Sequence, residues 1–251
     1  MANTPRMGLG MKIATVGYIL GFSAAALAVS AGLGNRIGLW TYREGFNALG
    51  WLVYVGGAAA VISALGIVLG LMTGRSGLTI VLALAGLILG SAVAWIPYEA
   101  RMALRASPRL ADITTDTAYP PAFVKIIPIR EAAKARNKTD YTVQKAALQA
   151  KHYPDLKPAM LTISPDETFD RAIRAVKMAG LNLIDADKKT GRIEATATTF
   201  WFGFKDDVVI RIAAAPVGTR VDIRSSSRVG RREAGKNAAR VRLLIKLISG
   251  K

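Results

Sequence analysis

The sequence contains no cysteine, a single histidine and only 17 acidic residues against 34 basic ones over its 251 positions. Without cysteine the chain can form no disulfide, and it has no thiolate nucleophile or cysteine-based metal site. The one histidine, His152 beside Tyr153-Pro154, cannot build a histidine-based metal site, so we expect it to be structural. The Gly-x-Ser-x-Gly, P-loop and dinucleotide-binding fingerprints are also missing. The sequence therefore predicts neither a metal site nor a cofactor.

Charge is also missing from three long apolar runs, Ile13 to Leu33, Ala48 to Leu71 and Leu78 to Ile96. Each holds about 20 residues, enough at roughly 1.5 Å per residue to cross a hydrocarbon core of roughly 30 Å. Aromatic residues that favour the headgroup layer lie near the ends of the runs, at Trp40, Tyr42, Trp51, Trp95 and Tyr98. We predict that residues 1–100 form an α-helical membrane anchor of three transmembrane helices.

The first run permits a second interpretation. Arg6 and Lys12 precede it and Ala26-Leu27-Ala28 follows its apolar start, as in a cleaved secretory signal. We favour a retained helix, because the run is longer than the usual signal core of about 7 to 15 residues. No charged residue interrupts any of the three runs, which argues against an ion path or a proton relay and hence against transport.

Each apolar run also carries two glycines four positions apart: Gly17 and Gly21, Gly66 and Gly70, Gly86 and Gly90. Such pairs lie on one helix face and allow a neighbouring backbone to approach closely. Glycine is also simply frequent in membrane helices. The pattern predicts tight helix packing within one chain or between copies, so a homo-oligomer or a larger complex could use these faces.

The flanking charges give two answers about topology. Counting basic residues favours a cytoplasmic soluble domain, because Arg36, Arg43, Arg101, Arg105 and Arg109 outnumber Arg6, Lys12 and Arg75 on the other side. The first helix usually dominates orientation, however, and charges of a translocated domain count for less. We therefore predict a multi-pass protein whose soluble domain is extracytoplasmic.

After the anchor, we predict an extended arm and a linker helix over residues 101–158 and an α+β core over 159–251. The arm begins with Asp112 to Thr117, and the linker helix covers Tyr141 to Lys151. The core begins with a strand from Ala159 to Ile163 and a helix capped by Ser164, with Pro165 at its first position and Glu167 completing a capping box. Four strands follow, Leu181 to Ala186, Arg192 to Phe200, Asp207 to Ala214 and Thr219 to Ser225, and then a helix from Arg232 to Ile248. Alternation in the last two strands predicts one buried face, so the fold class is an α+β domain with an antiparallel sheet and helices on one face.

The segment from Arg224 to Gly230 is distinctive: Arg-Ser-Ser-Ser-Arg-Val-Gly, followed by Gly235, Asn237 and Arg240. With the Phe204-Lys205-Asp206-Asp207 turn and the Asp112 to Thr117 arm, it resembles the uncharacterised bacterial and plastid family known as domain of unknown function 1499. The resemblance covers about residues 109 to 248. One departure is Arg232-Glu233, where members of the family often have Ser-Asp. The family has no established reaction, so the resemblance supports the domain boundaries and leaves the function open. With the three apolar runs, we expect a protein of the bacterial inner (plasma) membrane.

Guanidinium groups, hydroxyls and helix-start amides near this segment predict an anion-binding site. Its candidates are Arg224, Ser225, Ser227, Arg228, Arg231, Asn237 and Arg240. The alternative is that these charges pair across strands and brace the corner between strand and helix. Structural or weak acid/base candidates are Asp116, Asp206, Asp207, Arg211 and Asp222.

Four aromatic residues in five positions, from Phe200 to Phe204, lie at a predicted hairpin tip. Exposed aromatic clusters usually mark a contact surface, so Trp201, Phe202 and Phe204 are candidates for contact with the membrane or a partner. The alternative is an aromatic plug over the open end of the sheet.

The sequence thus favours a basic, membrane-anchored protein of the cell envelope that is a non-enzymatic binding or scaffold module for an anionic lipid or a protein partner. Nucleic acid is a poor candidate partner, because aromatic residues do not interleave with the basic ones. One alternative is a hydrolase-like enzyme that uses Asp116, Asp206 or Asp207 with Arg228. Another is an accessory subunit of a membrane complex. A deep cleft would favour the enzyme, and a filled, ion-paired cluster would favour the binding module.

Overall fold

The computed structural model describes residues 8–73, 77–232 and 234–250, so Arg6, Arg75 and Glu233 lie outside it. The chain divides into two compact units. One holds the chain up to Met102 together with Phe200–Gly203, and the other holds Ala103–Thr199 and the chain from Phe204 onward. We call them the helical unit and the sheet unit.

Three long helices form most of the helical unit: α1 (Leu9–Arg36), α2 (Tyr42–Met72) and α3 (Gly77–Ala106). All three are long and apolar enough to cross a membrane, as predicted. The third helix does not end at Ile96, because it continues through Pro97 to Ala106. Proline breaks one backbone hydrogen bond, but the residues that follow, such as Met102 and Leu104, are strong helix formers and the helix resumes.

Small residues make the contacts between these helices. On α1 the buried positions recur every three or four residues, at Gly10, Ala14, Gly17, Gly21, Ala24, Ala28 and Ala31. A Cβ added at Gly21 would lie 3.0 Å from the carbonyl oxygen of Gly86, and one at Gly56 would lie 2.7 Å from that of Gly90. The six glycines of the predicted pairs therefore pack against helices of the same chain. An oligomer formed through these faces stays a prediction.

Six antiparallel strands form the sheet: β1 (Asp112–Thr114), β2 (Ala159–Leu161), β3 (Asn182–Asp187), β4 (Arg192–Thr198), β5 (Lys205–Ala214) and β6 (Thr219–Ser227). Their spatial order is β1-β6-β5-β4-β3, and β2 also pairs with β6. The four strands predicted after Gly180 are present, and each pairs with its neighbour in sequence.

Four helices accompany the sheet: α4 (Ile126–Ala132), α5 (Val143–His152), α6 (Pro165–Met178) and α7 (Lys236–Ser249). Helices α6 and α7 pack on one face, where Ile193, Val208, Ile210 and Leu244 share a core with less than 1% of their surface exposed. The fold class predicted from the sequence, an α+β domain with an antiparallel sheet, is confirmed.

The start of α6 shows half of the predicted capping box. The Ser164 hydroxyl accepts a hydrogen bond from the backbone N–H of Glu167 at 3.2 Å. The Glu167 carboxylate instead accepts one from Arg171 at 2.8 Å, one helical turn later. A basic residue four positions further along the helix competes with the N-cap amide for the carboxylate, and here the carboxylate of Glu167 binds Arg171.

Within the predicted arm, Asp112–Thr114 forms strand β1, paired with β6. Two other predictions about the sheet unit were wrong in detail. Helix α7 begins at Lys236 rather than Arg232, because Gly235 adopts a left-handed conformation with φ of 79° just before it. The second face of the sheet is buried too, with Val209 packed against Phe123 and Ile126, the latter in the unpredicted helix α4.

Candidate functional site

The distinctive Arg224–Gly230 segment lies on β6 and just beyond it, and its side chains alternate between the two faces of the sheet. Ser225 points to the face covered by α7, where its hydroxyl donates to Asn237 at 2.7 Å. Arg224 points to the opposite face, where its partners lie on the covering segment 112–141. The predicted anion-binding residues are therefore split by the sheet into two groups.

The carboxylate of Asp207 on β5 is fully buried. Arg228 binds it with two hydrogen bonds, Nε to Oδ2 at 2.8 Å and Nη2 to Oδ1 at 2.7 Å. Arg130 from α4 binds Oδ2 at 2.7 Å, and the Thr196 hydroxyl donates to Oδ1 at 2.8 Å. All three charged side chains are almost completely buried. We call Asp207, Arg228, Arg130 and Thr196 the Asp207 cluster.

Arg130 in the Asp207 cluster also donates hydrogen bonds to the backbone of the loop after α4 and to the end of β6. It donates to the carbonyl oxygen of Asn137 at 2.8 Å and to those of Ser226 and Ser227 at 3.3 Å each. The Asn137 amide donates to the carbonyl oxygens of Ser227 at 2.9 Å and Gly230 at 2.7 Å. The loop after α4 is thus fastened to the loop after β6.

A second buried pair joins Arg224 to Asp112 on β1, with Nε to Oδ1 at 2.9 Å and Nη2 to Oδ2 at 2.8 Å. Lys145 lies 3.0 Å from the same carboxylate. The Arg224 guanidinium also lies 5.5 Å from the ring centroid of Tyr141 and donates to carbonyl oxygens of the covering segment. Burial, and then the nearby Asp112 carboxylate, raise the pKa of Tyr141 well above its ordinary value. Tyr141 therefore stays a neutral hydrogen-bond donor.

On the α7 face, Asp206 accepts a hydrogen bond from Arg240 at 2.8 Å. Arg240 also donates to Ser225 at 2.9 Å, and Asn237 donates to the Ser227 hydroxyl at 2.9 Å. These contacts fix the first turns of α7 against β6. Arg231, the remaining anion-binding candidate, is exposed in the loop between them.

The other acid/base candidates meet at a half-exposed cluster. Arg211 donates to Asp116 at 3.0 Å and to Asp222 at 2.8 Å, and Arg220 donates to Asp116 at 2.7 Å. The hydrogen bond to Asp222, with the charges of both carboxylates, raises the pKa of Arg220. Two carboxylates and two guanidiniums neutralise one another here. Arg211 on β5 lies directly opposite Asp222 on β6, the arrangement expected for a cross-strand pair of opposite charges.

Sequence reasoning did not predict that Arg130 and Asp112 form buried ion pairs, nor that Glu194 binds backbone amides. Glu194 on β4 is fully buried, and its carboxylate accepts the backbone N–H groups of Val124 at 2.7 Å and Ile126 at 2.8 Å. A negative charge at the start of α4 complements the free amides there. The only signal for this was a charged residue inside a strand, which fitted a charge pair across strands.

Residues 200–203, which include the aromatic side chains of Phe200, Trp201 and Phe202, belong to the helical unit. Phe202 is buried with its ring centroid 4.7 Å from that of Phe46, and the Trp201 indole donates to the carbonyl oxygen of Val29 at 2.9 Å. The Asn35 amide donates to the carbonyl oxygen of Phe202 at 2.6 Å. Phe204 lies in the sheet unit and is half-buried. Contact of Trp201, Phe202 and Phe204 with lipid or a partner stays a prediction.

Chemically, the clusters form a filled ionic network. Each buried arginine already binds a carboxylate in two-point or charge-assisted hydrogen bonds, which are the strongest such contacts. Among the residues that the structure describes, no group of His, Asp and Glu side chains is arranged to hold a metal ion. The charged side chains around the Arg224–Gly230 segment therefore bind one another and hold that segment in position.

These features define a class: a small α+β domain with internally paired strand charges, carried by a chain with three candidate membrane helices. Residues 112–248 match the family model described as protein of unknown function (DUF1499), so the chain belongs to that family, as the Arg224–Gly230 segment predicted. No curated protein and no solved structure matches the chain.

Proposed function

We propose that this protein is a membrane-anchored, non-enzymatic binding or scaffold module of the bacterial cell envelope, with an anionic lipid or a protein as its partner. Its three helices span the inner membrane and its sheet unit lies outside the cytoplasm. The domain boundaries follow the sequence: an anchor over 1–100, an arm and linker over 101–158 and a core over 159–251.

The observation that carries this proposal is the filled Asp207 cluster. A general acid or base must reach the proton that it transfers, either directly or through one water. Asp207 is fully buried and holds two guanidiniums and a hydroxyl. Asp116 and Asp222 are likewise engaged by Arg211 and Arg220. This arrangement disfavours the hydrolase-like alternative.

The charge of the chain favours an anionic partner. The sequence has 34 basic and 17 acidic residues, of which 5 and 2 precede residue 101, so 29 and 15 lie in residues 101–251. Because each buried acid is paired, the excess of positive charge remains on the surface of the sheet unit. Such a surface attracts anionic lipids and acidic proteins.

The test is a native pull-down of the full chain from its own membranes in mild detergent, with identification of the lipids and proteins that remain bound. We expect reproducible enrichment of an anionic lipid or a defined envelope protein. A stoichiometric protein complex would favour the accessory-subunit alternative. A reporter fused after Lys251 tests the location of the sheet unit.

The enzyme alternative has its own readout. Hydrolysis of generic ester or phosphoester substrates by the purified full chain would overturn the proposal if Asp207→Asn abolished the activity while leaving the circular dichroism spectrum and the melting temperature unchanged. Asp166→Asn, at an exposed carboxylate, is the matched control and should leave any background rate unaltered.

A further inference from the structure

Three loops of the sheet unit that are rich in basic residues lie side by side. The first follows α3, the second joins α4 to α5, and the third joins β6 to α7. The N–H of Asn137 in the second loop donates to the carbonyl oxygen of Arg228 in the third at 3.1 Å. Arg232 in the third donates to the carbonyl oxygen of Arg105 at 2.8 Å and to that of Ser107. Backbone contacts therefore hold the three loops together.

Exposed cations project from the three loops and from the last turn of α3. We call them the basic loop surface, which consists of Arg105, Arg109, Lys134, Lys138 and Arg231. Glu131 and Asp140 are the exposed acidic residues described on the same segments, and the sequence of the third loop also contains Glu233. The surface therefore has a net positive charge.

The basic loop surface is close to a membrane span along the chain. Arg105 lies in the last turns of α3, a single helix whose apolar run ends at Ile96. Nine residues of helix cover about 14 Å at roughly 1.5 Å per residue. A cation at that distance from the end of a span lies within reach of lipid headgroups, and the Arg232 contacts bring the other two loops to the same helix end.

We propose that the basic loop surface binds the phosphate groups of anionic phospholipids in the bilayer that holds the spans. This inference rests on the proposed function and names its partner. Lysine and arginine side chains near a membrane surface gain favourable energy from anionic lipids, and the attraction falls off within a Debye length. Several cations on one rigid surface hold more than one headgroup at a time.

The test uses the full chain reconstituted into vesicles with equal amounts of phosphatidylglycerol and phosphatidylcholine. After mild detergent extraction, the ratio of the two lipids retained by the protein is measured by mass spectrometry. We expect phosphatidylglycerol to be enriched. Lys134→Gln/Lys138→Gln/Arg231→Gln should lower the enrichment about threefold or more, and high salt should lower it as well.

The matched control removes three exposed lysines from other elements of the sheet unit, Lys157→Gln/Lys177→Gln/Lys189→Gln. It should retain the enrichment of the unaltered chain. The inference is overturned if the first triple variant, with an unchanged melting temperature, retains that enrichment, or if the control loses as much. Such a failure leaves the proposed function intact, because that is tested separately by the native pull-down and by the assay of hydrolysis with Asp207→Asn.

Discussion

The two units of this chain achieve close packing by opposite means. In the helical unit, glycine, alanine and serine allow backbones to touch: Gly66 packs against Ala14, and Gly86 against Gly17 and Ser63. In the sheet unit, long charged side chains fill the second face of the sheet and neutralise one another. One unit depends on the absence of side-chain volume, and the other depends on matched charge.

The difference predicts where each unit is sensitive. Apolar helices in lipid gain little from hydrophobic burial, so van der Waals contact decides their association, and added volume is harmful. A buried ion pair contributes little net stability, but the removal of one partner leaves an uncompensated charge. We therefore expect charge changes to damage the sheet unit most and size changes to damage the helical unit most.

The largest effect should come from Asp207→Ala. It leaves the Arg130 and Arg228 guanidiniums buried without their carboxylate, at a cost of about 3 to 5 kcal/mol in the free energy of unfolding. Urea unfolding of the full chain in mild detergent, followed by near-ultraviolet circular dichroism, measures this loss.

The control for Asp207→Ala is Asp166→Ala, whose exposed carboxylate lies 3.8 Å from Lys188. Its effect should stay within about 0.5 kcal/mol, as is usual for surface positions. Equal effects of the two substitutions would show that the Asp207 cluster contributes nothing special to the sheet unit.

Sequence patterns predicted the parts of this fold that depend on local periodicity. The charge-free runs predicted the three helices, and the Ser164-Pro165 start predicted α6, because these signals need no knowledge of distant residues. They did not predict β1 or α4. Asp112 and Arg130 form their buried ion pairs with partners more than 70 positions away, Arg224 and Asp207.

The sequence predicted which residues belong to the candidate site, but it did not predict how they are arranged in space. Alternation on β6 put Arg224 and Ser225 on opposite faces, yet their nearness in sequence suggested one pocket. The assumption that charged strand residues face solvent also concealed the second buried face. Only the tertiary contacts of residues 112–141, which have no clear period, decide that these charges are covered.

A smaller loss should follow the enlargement of a glycine in the helical unit. A Cβ at Gly86 would collide with the Ser63 hydroxyl and lie 2.8 Å from the backbone nitrogen of Tyr18. Gly86→Leu should destabilise the helical unit by about 1 to 3 kcal/mol through overpacking. The melting temperature of the full chain in detergent and its resistance to proteolysis between the helices report the loss.

Gly57→Leu is the matched control, because nothing lies within 4 Å of a Cβ at Gly57. It should leave both readouts nearly unchanged. If Gly57→Leu were as harmful as Gly86→Leu, the damage would come from leucine in these helices and not from the packed face, and the contrast between the units would fail.

The smallest effect should come from a charge pair on the surface of the sheet unit, where solvent screens the interaction. Arg242 binds Asp155 through two hydrogen bonds of 2.7 and 2.8 Å, and this contact lowers the pKa of Asp155 below its ordinary value of 3.8. The pair therefore stabilises the folded state above that value, and the contribution is lost as the pH falls through the lowered pKa. Asp155→Asn should cost less than about 1 kcal/mol at pH 7. Urea unfolding should show a difference in stability between Asp155→Asn and the unaltered chain at pH 7 and none at a pH well below 3.8.

A loss as large as that of Asp207→Ala would mean that solvent exposure does not distinguish the contributions of surface and buried ion pairs.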